Sequence, residues 1–201
     1  MINDYDSLQA AIADELARAD LTAVIPTFIQ LAEADLNRTL RTRQMQVVVS
    51  GTSTGQLITL PADLRAVQAL YVSFGGVGQE LYPLPPQRLA ETLVTSGPPL
   101  GYVITGDTLT LIAGQGDLAY TLVYYQALPP VSTTQNWVIQ REPGLYLYQS
   151  LAHTAPFLKD DARLQLWASL AKAIRDGMEV EDDDSRYGNA PSVQVGIRCA
   201  P

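Results

Sequence analysis

The chain has one cysteine and one histidine in 201 residues. A single thiol, Cys199, makes no internal disulfide, so a small scaffold stapled for secretion is excluded. A single imidazole, His153, has no thiol beside it, which leaves zinc without the several ligands it recruits. Charge is thin at 17% of residues, and 13 Lys and Arg face 21 Asp and Glu. The formal net charge of −8 argues against a protein that grips nucleic acid by neutralising phosphates. No apolar run approaches the roughly 18 residues a membrane helix needs. Met1-Ile2-Asn3-Asp4-Tyr5-Asp6 lacks the basic-then-apolar start of a signal peptide. The expectation is a soluble, cytoplasmically made chain with no membrane partner. Its hydrophobic fraction, 47%, is that of a globular protein and excludes wholesale disorder.

The charges that are present sit at the ends. Residues 50–136 contain Asp63, Glu80, Glu91, Asp107 and Asp117 against only Arg65 and Arg88. A charge-poor middle between charge-rich flanks predicts a β region set within helical segments. In the first flank, Asp6-Ser7-Leu8-Gln9 has the spacing of a capping box, followed by Leu8, Ile12 and Leu16 on one stripe. Pro26 opens a second helix, where its missing N–H costs nothing, and Ile25, Ile29, Ala32, Leu36 and Leu40 form its stripe. Arg38, Arg41 and Arg43 complement the negative end of that helix. The two helices are expected to pair antiparallel.

Strand signals begin at Met45. Val47-Val48-Val49, Gln56 to Leu60, Ala69 to Phe74 and Glu80 to Leu84 read as short strands. They are separated by Gly51 to Gly55, Pro61-Ala62-Asp63-Leu64 and Gly75-Gly76-Val77-Gly78. A short helix is expected from Pro85-Pro86 to Leu93. Tyr102 to Thr105 and Thr108 to Ile112 form a hairpin around Gly106-Asp107, and Gly114 to Asp117 turns the chain into Leu118 to Gln126. The result is one antiparallel sheet of about six strands with no βαβ rhythm.

Helices return after Pro129-Pro130. Leu147, Leu151, Ala155 and Leu158 share one side of a helix that Pro156 ends or kinks. Asp160 or Asp161 caps a longer helix whose apolar positions are Leu164, Trp167, Ala171, Ile174 and Met178. The 3, 4, 3, 4 spacing is the seam of a helix packed lengthwise on others. The fold expected is α+β: an antiparallel four-helix bundle (1–43 and 137–184), an inserted antiparallel β domain (44–136) and an extended C-terminal arm (185–201).

No constellation supports catalysis. Gly51-Thr52-Ser53-Thr54-Gly55 matches the G-x-S-x-G nucleophile elbow, which exposes its serine on a strand-to-helix turn. Here a strand-like segment follows, and the one base available to Ser53 is His153. A small serine hydrolase is the alternative function this loop offers, against a plain hairpin rich in Gly, Ser and Thr. The acidic run Glu181 to Asp184 resembles a calcium loop, but Arg186, Tyr187 and Val193 fall where a ligand, a glycine and a glutamate are required. Gly76-x-Gly78 lacks the third glycine of a dinucleotide fingerprint, since Leu81 stands there. No cofactor and no metal are expected. Ten tyrosines, Tyr120, Tyr124, Tyr125, Tyr146 and Tyr148 among them, leave a second alternative, a β-type module binding peptide or glycan.

The order of elements, with Leu60-Pro61-Ala62-Asp63-Leu64 early in the β region, resembles a known family. So does the run from Glu142 through Pro143, Gly144, Leu145 and Tyr146 to Ala152. Ala155-Pro156-Phe157-Leu158-Lys159-Asp160-Asp161-Ala162-Arg163, followed by Trp167, completes the likeness. These segments resemble the head-to-tail adaptor (connector) proteins of tailed bacteriophages, the tail tubular protein A type included. The resemblance covers roughly residues 7 to 180 and implies a non-enzymatic structural protein of the virion, made in the host cytoplasm. It implies a ring, usually of about twelve copies, beneath the portal protein, joined below to a tail tube or nozzle protein. Double-stranded DNA would pass through the ring during ejection without being held. The C-terminal arm is expected to bind the portal through Ser185, Arg186, Tyr187, Val193, Val195, Ile197 and Arg198.

Overall fold

The structure is a computed structural model that describes residues 1–93, 97–114, 116–158 and 162–188. Among the described residues the α-helices are α1 (Tyr5–Leu16), α2 (Ile25–Thr39), α3 (Trp137–Arg141), α4 (Pro143–Ala152) and α5 (Arg163–Tyr187). The strands are β1 (Gln46–Thr52), β2 (Leu57–Thr59), β3 (Leu64–Phe74), β4 (Val77–Leu81), β5 (Gly101–Thr105), β6 (Thr108–Ile112) and β7 (Ala119–Gln126). Short 3-10 turns occupy Ala19–Val24, Arg43–Met45 and Pro86–Leu93. The chain divides into two compact units. One comprises Met1–Ala32 with the described residues from Trp137 onward, the other the described residues of Glu33–Asn136.

The expected four-helix bundle with an inserted β domain is not what forms. In the first unit α4 is the hub, with α5, α1 and α3 packed on it, and α3 is a helix of only five residues. The expected α1–α2 pair gives way to α1 on α4. The second half of α2 belongs to the β unit. There the Asn37 carboxamide accepts the Leu128 N–H at 2.7 Å, and the Glu33 carboxylate accepts the Val131 N–H at 2.6 Å. Ile25, Ile29, Ala32, Leu36 and Leu40 are all buried as their spacing requires. Periodicity names the face a helix buries; it does not name what covers that face.

Helix starts follow local chemistry. The α1 cap is Asp4, two residues ahead of the expected Asp6. Its carboxylate accepts the Ser7 N–H at 2.8 Å while the Ser7 hydroxyl accepts the Asp4 N–H at 3.1 Å. The Ser7 hydroxyl also donates to the Asp4 carboxylate at 2.6 Å, and this bond first, with that from the Ser7 N–H, holds the Asp4 carboxyl below its ordinary pKa. The helix carrying Leu147 and Leu151 ends at Ala152, earlier than Pro156 alone demands. The expected caps Asp160 and Asp161 lie outside the described residues.

The β unit holds two antiparallel sheets, not one. The four-stranded sheet has the order β1-β7-β3-β4 and the three-stranded sheet β2-β6-β5. Strand alternation sends Leu70 and Val72 of β3 and Leu122 and Tyr124 of β7 to one face. That face packs on Ile58, Tyr102, Leu109 and Leu111 of the second sheet. The Tyr124 hydroxyl donates to the Asp63 carboxylate at 3.2 Å, and burial with this neighbour pushes its pKa up. Gly75 and Gly76, at φ +59° and +82°, close the two-residue turn between paired Phe74 and Val77. Positive φ at both positions favours glycine there. The strand expected at Glu80 to Leu84 is β4 at Val77–Leu81, and the chain after it docks on the edge of β5.

Candidate assembly surface

Helix α5 is 25 residues long, about 37 Å at 1.5 Å per residue. Its expected seam is real: Trp167, Ala171 and Met178 are buried, with Leu164 and Ile174 half-buried beside them. Gly144 of α4 lets the helices meet closely, since a Cβ there would stand 3.3 Å from the Ile174 Cδ1. At the N-terminal end the Arg163 guanidinium lies 5.0 Å over the Trp167 ring, and its Nη1 donates to the Glu15 carbonyl at 3.1 Å. The register of α5 is thereby fixed.

A second apolar stripe runs along the exposed side of the same helix. Leu166, Ala173 and Val180 recur every seven residues, with Gly177 between the last two. Leu166 is 55% exposed and Val180 62%, and nothing lies within 4 Å of a Cβ built at Gly177. By the 100° advance per residue, this stripe sits roughly a third of a turn from the buried seam. The sequence carried the signal as a second 3–4 pattern offset from the first. The stronger seam, anchored by Trp167, masked it.

The expected start of the arm is helical instead. Ser185, Arg186 and Tyr187 are the last residues of α5, which Gly188 ends at φ +56°. Arg186 pairs with Asp182 one turn back at 2.7 Å, the favourable acid-before-base order. This helical path also removes the calcium-loop geometry from Asp182 and Asp184. Val193, Val195, Ile197 and Arg198 lie outside the described residues.

Ser53 is not presented as a nucleophile. It is 3% exposed, its hydroxyl donates to the Gly55 carbonyl at 2.8 Å, and it accepts the Leu118 N–H at 2.9 Å. Asp117 accepts the Gly55 N–H at 2.7 Å, so the loop is stitched to the next turn. His153 belongs to the other unit, at the C-terminal end of α4. Within the β unit the tyrosines divide between core and surface. Tyr102 and Tyr124 are core residues, while Tyr71 and Tyr120 flank a shallow opening of about 270 Å³ on the four-stranded sheet. Among the described residues no group of three or more His, Cys, Asp or Glu side chains is placed to hold a metal ion, and no helix is long and apolar enough to cross a membrane.

A family model described as SU10 adaptor protein matches residues 3–195. No curated protein matches the chain.

Proposed function

We propose that this chain, which belongs to the SU10 adaptor protein family, is the repeating subunit of a connector ring between phage head and tail. Membership makes it a phage adaptor protein, a component of the virion. Beyond that, the reading is of a non-enzymatic ring seated under the portal protein, with a tail tube or nozzle protein below and double-stranded DNA passing through.

The observation that carries the ring is the exposed stripe Leu166, Ala173, Gly177 and Val180 on α5. A helix already packed on one side gains nothing, as a lone subunit, from a second apolar line in water. Small residues at its centre allow a neighbouring copy to approach closely. The charge balance supports the conduit: a chain of net charge −8 lets DNA slide, whereas a basic lumen holds phosphate tightly and in a salt-dependent way. With about a dozen copies that repulsion is repeated around the axis.

Ala173→Glu tests the ring. It places a charge in the stripe without touching the buried seam, so far-UV circular dichroism should be unchanged. Assembly with and without portal, followed by sedimentation and negative-stain imaging, should weaken by at least about tenfold. Rings forming undiminished from the variant would remove the stripe from the interface.

The portal contact is assigned to the C-terminal segment, through Val193, Val195, Ile197 and Arg198, with Ser185, Arg186 and Tyr187 at the helix end that leads into it. Truncation after Gly188 leaves α5 whole and should abolish co-sedimentation with portal while helicity persists. Full docking by the truncated chain would refute this assignment.

A further inference from the structure

The end of α2 builds a basic opening on the surface of the β unit. Asn37 and Arg38 line it from the helix, Arg41 from the segment just after it and Arg65 from the start of β3, around about 340 Å³. Arg38 is paired with Asp35 one turn earlier. Arg41 donates to the carbonyls of Asn37 at 3.1 Å and Leu40 at 2.5 Å, where the negative end of the helix favours a cation. The Asn37 carboxamide is committed to Leu128. Arg65 is exposed and makes no ion pair with a described residue. Arg65 thus leaves uncompensated positive charge at the opening.

The same chain carries a complement. The last turns of α5 hold Glu179, Glu181, Asp182, Asp183 and Asp184. Arg141 takes Glu181 and Arg186 takes Asp182. Glu179, Asp183 and Asp184 are exposed and make no ion pair with a described residue. Acids at a helix C-terminus oppose the macrodipole, so these three are unfavourable until a cation covers them.

We infer that the arginine opening of one copy receives the acidic end of α5 from a second copy, a contact that rests on the ring reading. Guanidinium forks match carboxylates bidentately, and two dissimilar surfaces on one chain make the head-to-tail interface that a closing ring requires. Duplex DNA is the competing occupant. Its hold depends on many neutralised phosphates, and a chain of net charge −8 works against it.

The test uses the full chain carrying Cys199→Ser. Arg65→Cys combined with Asp184→Cys should give, on oxidation with portal present, a non-reducing ladder of dimer, trimer and beyond. Either cysteine alone should stop at dimer. Arg65→Glu should weaken ring formation by about tenfold, and Asp184→Arg in the same chain should restore it. Cross-linking confined to single chains, or no species beyond dimer, overturns the contact. So does an Arg65→Glu variant that assembles normally but loses retention of duplex DNA. If the ladder is absent while Ala173→Glu still abolishes rings, this contact fails and the ring stands. If the chain with native α5 never oligomerises, both fail.

Discussion

Replacing Trp167 by alanine should destabilise the helical unit by about 3–5 kcal/mol, the range for removing a fully buried aromatic side chain. Trp167 is 1% exposed near the N-terminal end of the seam that α5 turns toward α4. The ring also receives the Arg163 guanidinium at 5.0 Å, which adds about 0.5–1 kcal/mol at a partly exposed site. Arg163→Ala is the matched control. It loses the stacking and the bond to the Glu15 carbonyl but opens no cavity, so it should cost well under half as much. Urea unfolding followed at 222 nm reports mainly the helices and therefore this unit. A loss below about 1 kcal/mol for Trp167→Ala would mean that the seam is not closed on α4. Assembly should fail in Trp167→Ala because the helix is lost. In Ala173→Glu it should fail with the helix intact, which separates packing from association.

The elements legible in the sequence were those set by local chemistry. The α2 stripe, the hairpin around Gly106-Asp107 and the seam from Leu164 to Met178 each rest on a periodicity or a turn residue within a short window. What the sequence hid was pairing at a distance. The stripes of α1 and α2 look alike, so an antiparallel pair is the economical reading. Asn37 and Glu33 instead tie the second half of α2 to residues 128 and 131, nearly a hundred positions away. The two sheets were hidden for the same reason. Neither the three residues of β2 nor the five of β5 say that β6 lies between them.

The candidate surface was legible in part. The buried side of α5 drew attention because tryptophan and methionine mark it, whereas the exposed side is made of Leu166, Ala173, Gly177 and Val180, residues ordinary on any helix. Only burial distinguishes a stripe already satisfied from one still open. The helical path of Ser185, Arg186 and Tyr187 was missed because five acids near a helix C-terminus suggest fraying. The Asp182–Arg186 and Glu181–Arg141 pairs supply the compensation that composition does not display.

Gly101→Ala should be the most damaging single methyl in the β unit, costing about 3 kcal/mol. A Cβ at Gly101 would stand 2.7 Å from the Leu84 Cγ and 2.7 Å from the Tyr82 carbonyl oxygen. Leucine can yield; the backbone of residue 82 cannot without leaving the sheet. That backbone covers the outer edge of β5, with the Tyr102 N–H donating to the Tyr82 carbonyl at 3.1 Å and the Leu84 N–H to the Tyr102 carbonyl at 2.7 Å. Overpacking of this kind costs about 1–3 kcal/mol, and two weakened hydrogen bonds add about 1 kcal/mol each. The edge of β5 then opens, and an uncovered strand edge is a template for pairing with other chains. Amide exchange at Tyr102 and Leu84 should accelerate in the variant, and aggregation on heating should begin earlier. Gly78→Ala is the control, because its Cβ meets nothing within 4 Å and its backbone is ordinary strand. A Gly101→Ala chain as stable as Gly78→Ala, with unchanged protection at Tyr102, would show that residues 82–84 do not seal that edge.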